Sequence, residues 1–152
     1  MKKLIFLTML AVCLTFVSFN SVATAARVSV STLIASTTLD ADPVLISGDK
    51  NIKSAEKVAF WVTYDETEVG GGLSVAVTLL VSPDDVTYLA ASFYDYAGGA
   101  TLQTSETISS DGTYVFWMNP DFVMPYARVV LTATGSDADD TAIVTTKIIT
   151  QE

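Results

Sequence analysis

The sequence predicts an all-β protein, a single antiparallel β-sandwich of the jelly-roll type with about eight or nine strands. Nearly every segment alternates apolar and polar residues with period two, and clusters of Gly, Pro, Asn and Asp separate these segments. Successive side chains of a strand point to opposite faces of a sheet, so the alternation indicates strands that bury one face. Short strands at regular turn spacing favour a sandwich over a parallel sheet. We assign residues 1–26 to a signal peptide and 27–152 to the sandwich.

The first 26 residues have the pattern of a secretory signal peptide. Lys2 and Lys3 precede an uncharged apolar run over 4–19, and residues 23–25, Ala-Thr-Ala, supply the small side chains that a signal peptidase reads. Cleavage there predicts an extracellular, cell-surface or periplasmic protein with Ala26 or Arg27 as its first residue. Two alternatives remain: a retained anchor, which needs about 20 apolar residues, and a lipoprotein with Cys13 lipidated.

The clearest strand covers 73–81, where Val75 and Val77 share one face while Ser74 and Thr78 share the other. Residues 126–134 repeat this pattern. Turn signals such as Gly98-Gly99 and Asn119-Pro120 separate the runs. We expect a helical turn within 50–56. The predicted strands cover residues 27–35, 44–47, 57–65, 73–82, 87–95, 101–108, 113–118, 126–134 and 141–150.

Composition excludes several classes of function. The chain has 17 Asp and Glu, 8 Lys and Arg, and no His. Two lysines lie in the predicted signal, so the mature chain carries a net charge of −11. Such a surface disfavours nucleic acid and anionic lipid. Without His, and with Cys13 removed by cleavage, the mature chain cannot form a Ser-His-Asp triad, a Cys-His dyad or a His-ligated zinc site. We therefore expect no enzyme; a two-carboxylate glycosidase is the class of enzyme left open.

Two motifs resemble segments of known β-sandwich modules. Residues 82–88, SPDDVTY, resemble the S-P-D-G-x-x-W/Y hairpin of galactose-binding-like and discoidin-like jelly-roll modules in phage virion and secreted bacterial surface proteins. Residues 125–131, PYARVVL, resemble a later strand of the same modules, P-x-A-R-Y-V-R-I/V. Asp85 replaces the usual glycine, and Tyr88 stands where tryptophan is common. The resemblance covers residues 57–134 and implies a jelly-roll sandwich, without a ligand site that can be carried over.

Four aromatic residues are candidates for a ligand site or an interface. Alternation places Trp61 and Trp117 on the strand faces opposite Phe60 and Phe116. Tyr94 and Tyr96 lie beside Gly98-Gly99, in a predicted aromatic loop. Exposed aromatic rings stack on sugars or dock subunits. The alternative is that each tryptophan packs beneath a loop or in the core.

The carboxylates of Asp137, Asp139 and Asp140 fall in one predicted hairpin. Oxygen-rich turns suit Ca²⁺, so these residues are a candidate metal site. The alternative is an ordinary solvated turn. We expect no other cofactor.

The terminal strands suggest how the protein works. Residues 28–35 and 142–150 are rich in Val, Ile, Thr and Ser with few charges, and such strands pair within their own sheet or with a neighbouring subunit. We expect a secreted, non-catalytic structural or adhesive protein that self-associates into an oligomer or filament, with other copies or a cell-surface component as partners. The alternative is a small carbohydrate-binding module that uses exposed aromatic residues and Ca²⁺. We expect no nucleic-acid partner, and no membrane after signal cleavage.

Overall fold

Twelve β-strands form two antiparallel sheets in the computed structural model, which describes residues 26–41, 43–67, 72–95, 102–135, 137 and 139–152. The predicted signal peptide lies outside the described residues except for Ala26. The described residues contain no helix of the length and apolar character that crossing a bilayer requires. The strands are β1 (Val28–Leu39), β2 (Val44–Ile46), β3 (Lys50–Asn51), β4 (Lys57–Glu66), β5 (Ser74–Ser82), β6 (Leu89–Ala90), β7 (Phe93–Asp95), β8 (Leu102–Gln103), β9 (Ser105–Ile108), β10 (Gly112–Met118), β11 (Tyr126–Thr134) and β12 (Ala142–Gln151).

The two sheets are built from strands that are mostly distant in sequence. Sheet A has the order β1-β12-β4-β10-β7-β8. Sheet B has the order β2-β11-β5-β6, with β3 also pairing β11 and β9 also pairing β5. Along the chain, strands or pairs of strands alternate between the sheets: β1 in sheet A, β2 and β3 in B, β4 in A, β5 and β6 in B, β7 and β8 in A, β9 in B, β10 in A, β11 in B and β12 in A. This arrangement is an antiparallel β-sandwich, as the sequence predicts.

The core lies between the sheets and follows the predicted alternation. On sheet B, Val77 faces Leu131 across the strand pair, and both side chains are fully buried. On sheet A, Phe60 is fully buried, and Phe116 packs edge-on against Phe93 with ring centroids 5.1 Å apart. Buried residues of both sheets form one hydrophobic cluster. The predicted inward faces of residues 57–65, 73–82 and 126–134 are therefore confirmed.

Two predicted strands cross from one sheet to the other, so each is two strands in the structure. With the short strand β3, which was not predicted, the described residues contain twelve strands rather than eight or nine. Within 87–95, β6 pairs with β5 in sheet B, whereas β7 pairs with β10 in sheet A. The Ala91 N–H donates to the Leu79 carbonyl at 2.8 Å, and the next carbonyl, of Ser92, accepts from Asn119 N–H at 3.0 Å. The crossing therefore lies between residues 91 and 92. Within 101–108, β8 and β9 are divided between the sheets in the same way.

The segment 50–56 is less helical than predicted. Its first two residues form β3, which pairs with β11. A single turn follows, closed by Ala55 N–H donating to the Ile52 carbonyl at 2.9 Å. The predicted turn at Asn119-Pro120 is a 3-10 helix, Pro120–Phe122, and the Asn119 side chain at its N-terminus accepts from Asp121 N–H at 3.2 Å.

Candidate functional site

An apolar row crosses the outer face of sheet A from edge to edge. Trp117 on β10 lies opposite Ala59 on β4 and opposite Tyr94 on β7. The cross-strand pairs continue to both edges of the sheet, and we call the whole set the outer row: Val30, Ile149, Ala59, Trp117, Tyr94 and Leu102.

Trp61 lies on the same face, one row away. It is opposite Val115 on β10 and Lys147 on β12, so it is a diagonal neighbour of Trp117. Trp61 is 39% exposed and Trp117 is 48% exposed, whereas Phe60 and Phe116 beside them in sequence are fully buried. The prediction that alternation turns both tryptophans away from the core is confirmed. Tyr94 joins them, and Tyr96 lies outside the described residues.

A groove of about 300 Å³ opens beside Trp117. The chain leaves β10 at Met118 and turns through the 3-10 helix, so that Pro120 forms one part of the groove while Val58 at the start of β4 forms another. Its lining residues are Glu56, Lys57, Val58, Tyr94, Trp117, Met118 and Pro120. The lining is mainly apolar, and Glu56 and Lys57 supply its charged groups.

The outer face of sheet A has few acidic side chains, although the chain as a whole is strongly acidic. Among the described strand residues whose side chains point outward from it, the charged ones are Lys57, Lys147 and Asp65. Lys147 lies directly opposite Trp61, Lys57 lies in the row next to that of Trp117, and Asp65 lies towards the opposite end of β4 from Lys57. The face therefore combines aromatic rings with a small positive charge, while the chain as a whole is strongly negative.

A second cluster joins the two motifs that resemble galactose-binding-like modules. The guanidinium carbon of Arg128 lies 3.7 Å from the ring centroid of Tyr88, and the Arg128 Nη1 is 3.8 Å from the Asp49 Oδ1. Tyr88 Oη donates to Asp85 Oδ1 at 2.5 Å. Burial raises the pKa of Tyr88, and its hydrogen bonds with Asp85 and Asp49 add to the rise. These contacts fasten the hairpin to β11 and have a structural role.

Within that hairpin, Asp84 organises the turn. Its carboxylate accepts from the Thr87 N–H at 2.9 Å and from the Val86 N–H at 3.0 Å. These backbone hydrogen bonds, with a further one from the Ser82 hydroxyl, lower the pKa of Asp84. The Asp84 carboxylate therefore stabilises the loop by these hydrogen bonds, which is a structural role.

The acidic hairpin also uses one carboxylate for its own backbone. Asp140 is buried, and its Oδ2 accepts from Asp137 N–H at 2.9 Å, while Asp137 and Asp139 are exposed. In the part of the chain that the structure describes, no group of three or more His, Cys, Asp or Glu side chains is arranged to hold a metal ion. Calcium binding here stays a prediction, which the dependence of the melting temperature on calcium and EDTA tests.

Comparison with solved structures supports the fold. The SPBc2 prophage-derived protein YomS aligns with 88% of this chain and 100% of its own, with 13% identity and a TM-score of 0.60. This chain shares the YomS fold. A structure of infectious bursal disease virus, Gx strain, aligns over 83% of this chain and 33% of its own, with 10% identity and a TM-score of 0.52.

A third solved structure, a disulfide-linked pilus of Bacillus endospore appendages, aligns over 82% of this chain and 88% of its own. Its 16% identity and TM-score of 0.38 are too low to support an argument. No protein-family model matches the chain, and no curated protein matches it significantly. The comparisons thus support an all-β sandwich, and these three structures provide no galactose-binding or discoidin-like counterpart.

Proposed function

We propose that this protein is a secreted, non-catalytic structural subunit that self-associates through one side of its sandwich. We also propose the jelly-roll class for the sandwich, since single strands or pairs of strands alternate between the sheets along the chain. The observation that carries the functional proposal is the edge strand β1. In the described structure it pairs on one side alone, with β12.

Strand β1 lacks the features that protect sheet edges. Its 12 residues, VSVSTLIASTTL, include no charged residue and no proline. Val28 and Val30 are 62% and 58% exposed. Natural edge strands are usually short, charged or interrupted, because an exposed row of backbone N–H and C=O groups pairs with other chains. The irregularities in β1 begin after Thr32, so Val28 to Thr32 keeps a regular register available to a partner.

The edge of sheet B lies on the same side of the sandwich. Strand β2 pairs with β11, and its Val44 and Ile46 are exposed. Strand β3 follows β2 in sequence, and its Lys50 Nζ donates to Ser31 Oγ of β1 at 2.8 Å. This hydrogen bond places the edge of sheet B close to the edge of sheet A. Val28 and Val30 point outward from sheet A, and Val44 and Ile46 point outward from sheet B; we call these four residues together the edge surface. A second copy related by a two-fold axis would extend sheet A through antiparallel β1–β1 pairing.

A lysine in the edge surface tests the proposal. Val30→Lys places a charge where two copies would meet, so we expect the assemblies formed by the wild-type secreted protein to dissociate. Val86→Lys is the matched control, because Val86 is 80% exposed in the hairpin 82–88 and is not a residue of the edge surface. Light scattering after size exclusion, with negative-stain microscopy, measures the outcome. A wild-type protein that stays monomeric at high concentration contradicts the proposal.

Secretion has its own test. The intact mass of the exported protein should correspond to a chain that begins at Ala26 or Arg27. A mass that retains Met1, or that shows a lipid on Cys13, contradicts the proposed maturation.

A further inference from the structure

We propose that the outer face of sheet A binds an uncharged oligosaccharide over Trp117 and Tyr94. This inference does not depend on self-association, because Trp117, Tyr94 and the groove lining include no residue of the edge surface. The two surfaces share Val30, which lies at the far end of the outer row. Strand pairing places Trp117 directly beside Tyr94, with Trp61 as a diagonal neighbour. The three rings therefore lie on one continuous surface.

The exposure of these rings fits a sugar ligand. Trp61 and Trp117 are 39% and 48% exposed to water. The fold therefore lacks part of the stabilisation that full burial of each indole ring would provide. A pyranose ring has one face of C–H groups that covers an aromatic ring, and hydroxyls at its edge that stay hydrated. The outer row extends this apolar strip across the sheet, so a chain of sugars suits it better than a single compact molecule.

The groove has the dimensions of a small ligand site. Its volume of about 300 Å³ is at the lower end of the range for ligand pockets. Trp117 and Tyr94 supply its aromatic groups, and Glu56 and Lys57 supply an acceptor and a donor. Sugar hydroxyls both donate and accept, so they complement this pair of side chains.

The charges of the chain and of the groove favour an uncharged oligosaccharide over a polyanion or a flat protein surface. The predicted mature chain has a net charge of −11 and repels polyanions at long range. The groove itself carries one charge of each sign, which matches a neutral ligand. A flat protein surface docked on this face would cover the side chains of Lys57 and Lys147. Removing their ammonium groups from water without an oppositely charged partner would carry a high desolvation cost. A narrow sugar chain would leave both ammonium groups in water.

Intrinsic fluorescence reports directly on this face, because the chain's two tryptophans both lie on it. The secreted protein is titrated with neutral gluco-, xylo-, manno- and chito-oligosaccharides, and with polygalacturonate as the anionic comparison. We expect a saturable change in emission with at least one neutral series and none with polygalacturonate. Trp117→Ala should weaken binding roughly tenfold or more.

Two variants keep the test specific. Trp117→Phe retains a ring and should retain most of the binding, measured by calorimetry. Val44→Ala removes apolar surface from the edge surface and should leave the affinity unchanged. Circular dichroism checks that each variant is folded. The proposal is overturned if no neutral oligosaccharide binds, if Trp117→Ala binds as well as wild type, or if the emission changes with protein concentration alone, which would indicate a second copy on this face.

Discussion

Asp85 adopts a backbone conformation that its side chain does not favour. Its φ of 64° is in the left-handed region, and among the described residues it is the non-glycine residue with positive φ. Glycine adopts this region freely, which explains why the resembling hairpin motif has glycine here. Aspartate tolerates it better than most residues. The hydrogen bond from Tyr88 to the Asp85 carboxylate offsets part of the strain.

Substitutions at position 85 should therefore separate backbone strain from side-chain contacts. Asp85→Gly should leave the free energy of unfolding unchanged or slightly higher, because relief of strain offsets the loss of the Tyr88 contact. Asp85→Val should lower it by about 1–2 kcal/mol, since a β-branched residue is strained at this φ. Urea denaturation of both variants measures the difference. Equal stabilities would contradict the left-handed conformation.

Thr146 is a polar residue in the core. It is fully buried, and its hydroxyl has no hydrogen-bond partner among the described residues. Valine has nearly the same shape, so Thr146→Val should raise the free energy of unfolding by about 1 kcal/mol by removing an unsatisfied polar group. Thr145→Val, on the outward face of the same strand, should have little effect. A thermal melt that ranks the two variants in the opposite order contradicts the assigned faces of β12.

At the scale of the strand, the faces of β5 decide which substitutions the fold tolerates. Val77 is fully buried, whereas its neighbour Thr78 points outward and its Oγ1 donates to Ser105 Oγ at 3.3 Å. Val77→Asp would bury a carboxylate without a partner, and we expect a loss of about 3 kcal/mol or more. Thr78→Asp should be tolerated. Similar losses from both variants in thermal melts would show that the register is wrong.

Period-two alternation predicted these long strands well because each has one buried and one solvated face, and it placed Trp61 and Trp117 correctly for the same reason. It failed where the chain changes sheets. The alternation of residues continues through Ala91 and Ser92, but the backbone partner changes from Leu79 to Asn119. The choice of partner depends on contacts between residues distant in sequence, which a local pattern does not contain. The groove beside Trp117 could not be predicted either, since β4, β7, β10 and Pro120 are brought together by the tertiary fold.

Tyr64 connects the two sheets and makes their association sensitive to alkaline pH. Tyr64 lies on β4, and its hydroxyl donates to the carbonyl of Leu73, the residue immediately before β5, at a distance of 2.7 Å. Burial raises the pKa of Tyr64 to about 12, and the charges of Glu66 and Asp111 add to the rise.

A tyrosine whose pKa is raised by folding contributes stability that is complete below its unfolded pKa of about 10. That stability is lost as the pH rises from about 10 through the folded value, which for Tyr64 is about 12. We expect the melting temperature to fall over this interval, measured by circular dichroism. The raised pKa of Tyr88 acts in the same direction. Tyr64→Phe should reduce the slope, and an unchanged slope in this variant would contradict the assignment.

At the scale of the whole molecule, charge opposes the proposed self-association while the edge surface favours it. The predicted mature chain has 17 acidic and six basic residues, so copies repel one another at low ionic strength. The residues of the edge surface are uncharged. Raising the salt concentration from about 0.01 M to 1 M shortens the Debye length from about 30 Å to about 3 Å. Assembly should therefore increase with salt, as sedimentation velocity measures; dissociation by salt would indicate an interface held by ion pairs.

The pairing of β1 with β12 sets the order of events during synthesis. Val28 lies opposite Gln151, so the edge of sheet A joins the first and last described strands of the chain. Strand β12 also lies between β1 and β4, and until residues 142–151 have left the ribosome neither of those strands has this partner. Chain segments this distant in sequence meet slowly, on the scale of milliseconds to seconds. The nascent chain therefore carries an unpaired, uncharged strand throughout translation, and this is the interval in which a holding chaperone would act on it.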